Sequence, residues 1–248
     1  MRTADRAWAR LALLALLLGA GPARAESLLR RALHVLGVDA SSGGQKADSG
    51  PARGGRIFVA DLGGGGGGDG ARPLTAAGGE YRWPIFSVDG RNVIALDRGD
   101  VVTIAVSSGK VVRRRKVAGV EKLVGADRDR PDTVLVVMRD TAAPVALLST
   151  STGRIERLDY DPADTEQRRM LNHLEGEERV YSGARLFVKM ESKAALEGTR
   201  EWQEVYIETA GAPARAVSGC ATSGGQCRQP ALSADGARAV YVQVAPPG

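Results

Sequence analysis

The chain is short of the residues on which most chemistry depends. Its 248 residues include two His, two Cys, three Trp, three Phe and five Tyr. His34 falls in a leader-like helical stretch and His173 in a polar helical stretch, neither beside a Ser, Cys or carboxylate at motif spacing. Dispersed catalytic triads exist, but these positions give one little support. No Gly-x-Ser-x-Gly elbow is present. The six-glycine run Gly63–Gly68 continues into Asp69-Gly70 and Ala71-Arg72-Pro73, without the Lys-Ser/Thr and helix of a phosphate-binding loop. It reads as a hairpin connection. No apolar run reaches the ~20 residues of a spanning helix. The longest, Leu11–Ala20, is about half that and follows Arg2, Arg6 and Arg10. With small residues at Ala23 and Ala25, residues 1–25 read as a signal peptide, and no Cys follows to accept a lipid.

A one-signed field is also missing. The whole chain carries 34 Lys+Arg against 29 Asp+Glu, a net of +5. Removing Arg2, Arg6, Arg10 and Arg24 with Asp5 leaves 30 against 28 on 223 residues. A net of +2 does not support nucleic-acid binding. The protein is expected to be periplasmic or secreted, with no membrane span after cleavage. In an oxidising compartment Cys220 and Cys227 predict a disulfide, since two thiols without nearby His are too few to hold a metal.

What is present is a repeat. Residues 83–96 (WPIFSVDGRNVIAL) and 229–242 (QPALSADGARAVYV) align without a gap and share Pro84/Pro230, Ser87/Ser233, Asp89/Asp235 and Gly90/Gly236. Each is an apolar run, a tight polar turn and a second apolar run, the signature of a β-hairpin. Ser182-Gly183-Ala184-Arg185 lies over Asp235-Gly236-Ala237-Arg238, and Asp127 reads as a worn copy of Asp89. The turns at 89, 127, 182 and 235 stand 38, 55 and 53 residues apart. That approaches the ~40–50-residue period of propeller blades. Strand-sized runs at 83–87, 92–97, 101–107 and 110–117 make one complete four-stranded meander.

Residues 26–37 read as a short helix and 38–55 as a flexible Gly/Ser-rich linker, so the folded domain runs from 56 to 248. Residues 163–174 (ADTEQRRMLNHL) read as a helical insertion. The last hairpin, 229–244, lacks outer strands, while Arg56–Thr75 supplies two strands with no hairpin before them. Sharing one blade between the two ends closes a ring and removes free sheet edges. The expected fold is all-β: a small propeller of four four-stranded blades, or five if 160–178 holds strands, with N-terminal strands completing the last blade. An incompletely closed ring, or two packed sheets, is the alternative.

The hairpin resembles the TolB-type repeat of periplasmic propellers, Pro-x-x-Ser-x-Asp-Gly-(Lys/Arg)-x-Ile-Ala-(Phe/Tyr), at 84–95 and 230–241. Ile57–Asp61 and Arg72–Thr75 are similar to its following outer strands. TolB itself has a separate N-terminal α/β domain, absent here, so the resemblance is one of fold. It implies a non-enzymatic protein-interaction module of the cell envelope, binding an envelope protein through the loop face around the central tunnel, without a cofactor. Two alternatives stay open: a ligand- or metal-binding propeller enzyme of lactonase type, and a degenerate sensor domain. The repeat-turn residues Ser87, Asp89, Gly90, Ser182, Gly183, Ser233, Asp235 and Gly236 are read as turn builders. Axial calcium held by the Asp carboxylates is the competing reading. Arg113, Arg114, Arg115 and Lys116 form the sharpest charge cluster. On an outermost strand they would deter edge pairing, and otherwise they would meet anionic lipid, lipopolysaccharide or an acidic partner. Trp83 and Trp202 are expected to pack.

Overall fold

The computed structural model describes residues 55–63, 70–139, 142–176, 178–181, 183–195, 198–223 and 225–245. The expected signal segment, leader helix, most of the linker, most of the glycine run and Ser182 lie outside the described residues. The chain first forms β1 (Arg56–Asp61) and β2 (Ala71–Pro73). Two antiparallel meanders follow: β3 (Tyr81–Phe86), β4 (Asn92–Asp97), β5 (Asp100–Ala105) and β6 (Val111–Lys116), then β7 (Val120–Ala126), β8 (Thr133–Met138), β9 (Val145–Ser149) and β10 (Ile155–Arg157). Helix α1 (Thr165–Glu175) leads into β11 (Arg179–Tyr181), β12 (Ala184–Ala195), β13 (Gly198–Thr209) and β14 (Ala212–Ala216). A short turn of helix, α2 (Cys220–Ser223), precedes β15 (Gln226–Leu232) and β16 (Arg238–Val244).

The two ends of the domain share one sheet. β1 lies antiparallel to β16 from Arg56↔Gln243 to Asp61↔Arg238, and β2 pairs with β1. The fourth unit is therefore β15-β16-β1-β2, completed by N-terminal strands. A single parallel pair, Gln203↔Gln226, joins it to the third unit.

Apolar content falls from the centre of each unit outward. In the second unit the β8 residues TVLVVM are buried except for the half-buried first, whereas β10 ends in exposed residues. Such continuous apolar runs arise because both faces of a middle strand are covered. Alternate residues then point to opposite neighbours. Val134, Val136, Ala146 and Leu148 pack into one cluster with the first and fourth units, including Val93, Ile104, Ala231 and Val240. Leu135, Val137, Val145 and Leu147 face the other way, onto Met170 and Leu174 of α1. Leu186, Val205 and Ile207 of the third unit pack with Ala239 and Tyr241 of the fourth.

Three seams of the ring are thus sheet against sheet, and α1 covers the remaining face of the second unit. Its amphipathic spacing explains this role. Gln167, Met170, His173 and Leu174 are buried, the i, i+3, i+6, i+7 stripe of one helix face. Asp164 caps its start, accepting from Glu166 N at 2.8 Å and Gln167 N at 3.2 Å. The stretch 160–178 therefore supplies a helix in a seam and no fifth blade.

The third unit departs from the others in length. β12 and β13 pair over twelve residues each, from Ala184↔Thr209 to Ala195↔Gly198. β11 covers the edge of β12 away from β13 only at Ala184–Leu186. The distal half of the hairpin is a two-stranded ribbon projecting from the unit.

Candidate functional site

The repeated turns meet around the axis. Ser87 Oγ donates to Asp89 Oδ1 at 2.6 Å and Ser233 Oγ to Asp235 Oδ1 at 2.5 Å. Each Asp Oδ1 also accepts a backbone N–H at 3.0 Å, from Arg91 and Ala237 respectively. Each serine oxygen in turn accepts from the residue that starts the next strand, Asn92 N or Arg238 N, both at 3.0 Å. Gly90 and Gly236 take φ of 65° and 70°, which an L side chain rarely adopts. These bonds hold both Asp carboxyls below the usual carboxylate range, the serine hydroxyl bond being the largest cause. Both serine hydroxyls are committed to the turn.

Asp127 occupies a different place from the one its spacing implies. Its N–H donates to Thr133 O, as that of Ser87 does to Asn92 O. It therefore stands at the serine position, and its carboxylate alone accepts from Asp129 N, Arg130 N and Arg130 Nε. The third copy is shorter than the others. Tyr181 pairs directly with Ala184, and Gly183 has φ 80°.

All four units contribute to one cavity of about 280 Å³ at this end of the axis. Phe86 and Val88 come from the first, Val124 and Arg128 from the second, Tyr181 and Ala184 from the third, and Leu232 and Asp235 from the fourth. The throat is apolar. Exposed Arg128 and exposed Asp235 put opposite charges on the rim. The Tyr181 hydroxyl accepts from Leu232 N at 3.0 Å, tying the third unit to the fourth, and burial pushes its phenol pKa up.

Two to four residues back along the same inner strands lies a second layer: Trp83, Lys122, Arg179 and Gln229, one from each unit. Trp83 and Gln229 hold equivalent bulges at φ 50° and 54°, and Trp83 N donates to Gln229 Oε1 at 2.7 Å. Lys122 sits 4.1 Å above the Trp83 ring. Lys122 Nζ and Arg179 Nη1 both donate to Gly176 O, at 2.5 and 2.7 Å. Gly176 ends α1, so two buried cations meet the negative end of the helix dipole. Trp83 packs in the core, as expected, and no motif in the sequence marks Lys122 or Arg179. A lysine between Val120 and Leu123 in a strand was the available signal.

Away from the axis, Cys220 and Cys227 are bonded, with Cα atoms 5.8 Å apart. Beside them buried Glu204 accepts from Ser218 Oγ, Cys220 N and Ala221 N. The basic run lies on β6, the outermost strand of its sheet. Arg114 pairs with Asp97 at 2.5 Å and Asp100 at 3.1 Å, and Arg115 donates to Ser151 O of the neighbouring unit. Half of the charge cluster is thereby engaged within the protein. Among the described residues no group of three or more His, Cys, Asp or Glu could hold a metal ion.

Four antiparallel units around a common axis, with the last closed by both chain ends, decide the architecture. The chain is a small β-propeller. No protein-family model and no curated protein matches it. Among solved structures it is similar to a putative TolB from Agrobacterium tumefaciens, at 10% identity and TM-score 0.35, covering 75% of this chain and 60% of that one. The β-propeller domain of Myceliophteria thermophila Cps50 (Swd1) matches at 10% identity and TM-score 0.28, covering 70% and 59%. The dihydro-heme d1 dehydrogenase NirN matches at 17% identity and TM-score 0.29, covering 80% and 43%. The propeller thus spans three fifths or less of the length of these chains.

Proposed function

We propose that this β-propeller is an exported, non-enzymatic binding module that docks a protein of the cell envelope at the axial mouth. The cavity carries the reading. At about 280 Å³ it is at the small end for a drug-sized ligand, and its apolar throat suits one anchoring side chain of a partner. The opposite charges of Arg128 and Asp235 would orient that partner around the rim. Both serine hydroxyls are held in turns and no histidine lines the cavity, which favours binding over hydrolysis. The signal-peptide pattern and the disulfide support export.

A photo-crosslinking residue at Val88 tests this in the envelope of an expressing cell. An adduct of one defined mass is expected, absent when the residue is placed at Lys116 and lost when Ala234→Trp fills the mouth. Equal labelling from both positions would overturn the reading. A stoichiometric divalent ion in the purified protein would favour the lactonase-like alternative instead.

A further inference from the structure

The ribbon formed by the distal halves of β12 and β13 meets the ring only at its base, where Gln203 pairs with Gln226 and Trp202 packs on the third core cluster. Beyond that base, Glu191–Ala195 pair only with Gly198–Trp202, a projection of about 16 Å at ~3.3 Å per residue. Met190 is 55% exposed. Among the described residues, no strand covers the edge of β12 away from β13 beyond Leu186. A free edge of this length presents unpaired backbone donors and acceptors, and proteins leave few such edges uncovered.

We propose that this edge pairs with the same edge of a second copy, forming a two-fold dimer through β12. The sequence of the edge is self-complementary in one antiparallel register. With Ser192 on the two-fold axis, Glu191 faces Lys193 of the second copy, and Lys193 faces its Glu191. Met190 then lies opposite Ala194. Residues directly opposite in antiparallel strands point to the same face, so unlike charges meet twice and Met190 gains an apolar neighbour. Competing registers fare worse. Centring on Glu191 sets it against itself and Lys189 against Lys193. Centring on Met190 pairs Lys189 with Glu191 but drives Ala194 and Ala195 onto Leu186 and Arg185, where β11 already occupies the edge. The result is a four-stranded sheet, β13-β12-β12-β13, across an isologous interface.

Sedimentation velocity on the mature chain from 1 to 100 µM tests the proposal. A concentration-dependent dimer is expected. Lys193→Glu sets Glu191 against a glutamate and should weaken the dimer at least tenfold. Glu191→Lys sets Lys193 against a lysine and should do the same. An equimolar mixture of the two variants restores both unlike pairs, so it should dimerise again. Ser192→Cys supplies an independent readout. The described chain has no free cysteine, and facing Cα atoms in an antiparallel pair lie ~4.5–5.5 Å apart, within disulfide reach. Mild oxidation should cross-link Ser192→Cys and leave Glu201→Cys, on the other strand, uncrosslinked. A wild-type monomer at 100 µM overturns the proposal. So does a dimer that neither reversal changes by more than twofold, or one that Glu191→Lys breaks and Lys193→Glu does not. Unchanged thermal melts of the variants show that any loss is not misfolding.

Discussion

The paired turns at Ser87–Asn92 and Ser233–Arg238 make a quantitative prediction, because the same bonds occur twice at nearly the same lengths. Asp89→Ala and Asp235→Ala each remove one serine hydroxyl bond of 2.5–2.6 Å and one backbone bond of 3.0 Å. A hydrogen bond to a charged group contributes ~1.5–3 kcal/mol when buried. Both carboxylates are exposed, and solvent screening lowers that figure. About 1 kcal/mol per turn at pH 7 is the expected cost, similar for the two variants. The sign with pH follows from the depressed carboxyl pKa in the fold. A group held below its unfolded value of ~3.9 contributes fully above that value and loses the contribution as pH falls through the lower, folded value. The difference between wild type and variant should therefore shrink between about pH 4 and pH 2. Urea unfolding followed by tryptophan fluorescence measures it, with an unchanged m-value required for the comparison. A cost below about 0.3 kcal/mol at pH 7, or one that persists undiminished at pH 2, refutes the assignment of the Asp as an ionised turn acceptor.

Other perturbations have equally definite outcomes. Gly109 has φ 69°, and a Cβ there would lie 2.3 Å from Leu74 O, so Gly109→Ala should lower stability by more than ~2 kcal/mol in the same urea assay. Leu174 is 1% exposed in the seam between α1 and the second unit, and Leu174→Ala should cost ~2–5 kcal/mol. The Tyr206 hydroxyl donates to Glu191 at 2.7 Å, and burial followed by that bond pushes its pKa up to about 12. Absorbance titration at alkaline pH should show a phenol ionising near this value in the wild type, and Glu191→Gln should bring it down. Reducing Cys220–Cys227, which spans seven positions, should cost on the order of 2 kcal/mol by loop entropy, read as a lower melting temperature.

The blade pattern was legible because each hairpin carries turn chemistry that the backbone demands. Gly90 and Gly236 sit where φ is positive, with Asp two residues after Ser, so two separated segments identified one motif. The closing strands were legible by elimination, since β15 and β16 lacked neighbours and β1 and β2 lacked a hairpin. The place of Asp127 was not, because a longer loop lets one carboxylate take over both the serine and the aspartate roles. The ribbon was also hidden. Glu191–Ala194 have no alternating apolar face, and their ladder stands on backbone pairing with Thr199–Trp202 rather than on burial. The axial layer of Trp83, Lys122, Arg179 and Gln229 joins residues up to 146 positions apart, and only the closed ring places them together. No motif in the sequence marks Lys122 and Arg179 as buried cations, because the end of α1 that they share is set between them only by the fold.

The pairing of β1 with β16 orders events in time. Arg56 meets Gln243, so the first strand of the domain has only β2 beside it until the chain has been made as far as β16. At synthesis rates of ~5–20 residues per second, β1 waits on the order of ten seconds or more with an open edge. The first two meanders can assemble meanwhile, since their strand pairs are local. Closure of the ring then waits for β16, with a large loop to close, and a ribosome still covering β16 holds the propeller open.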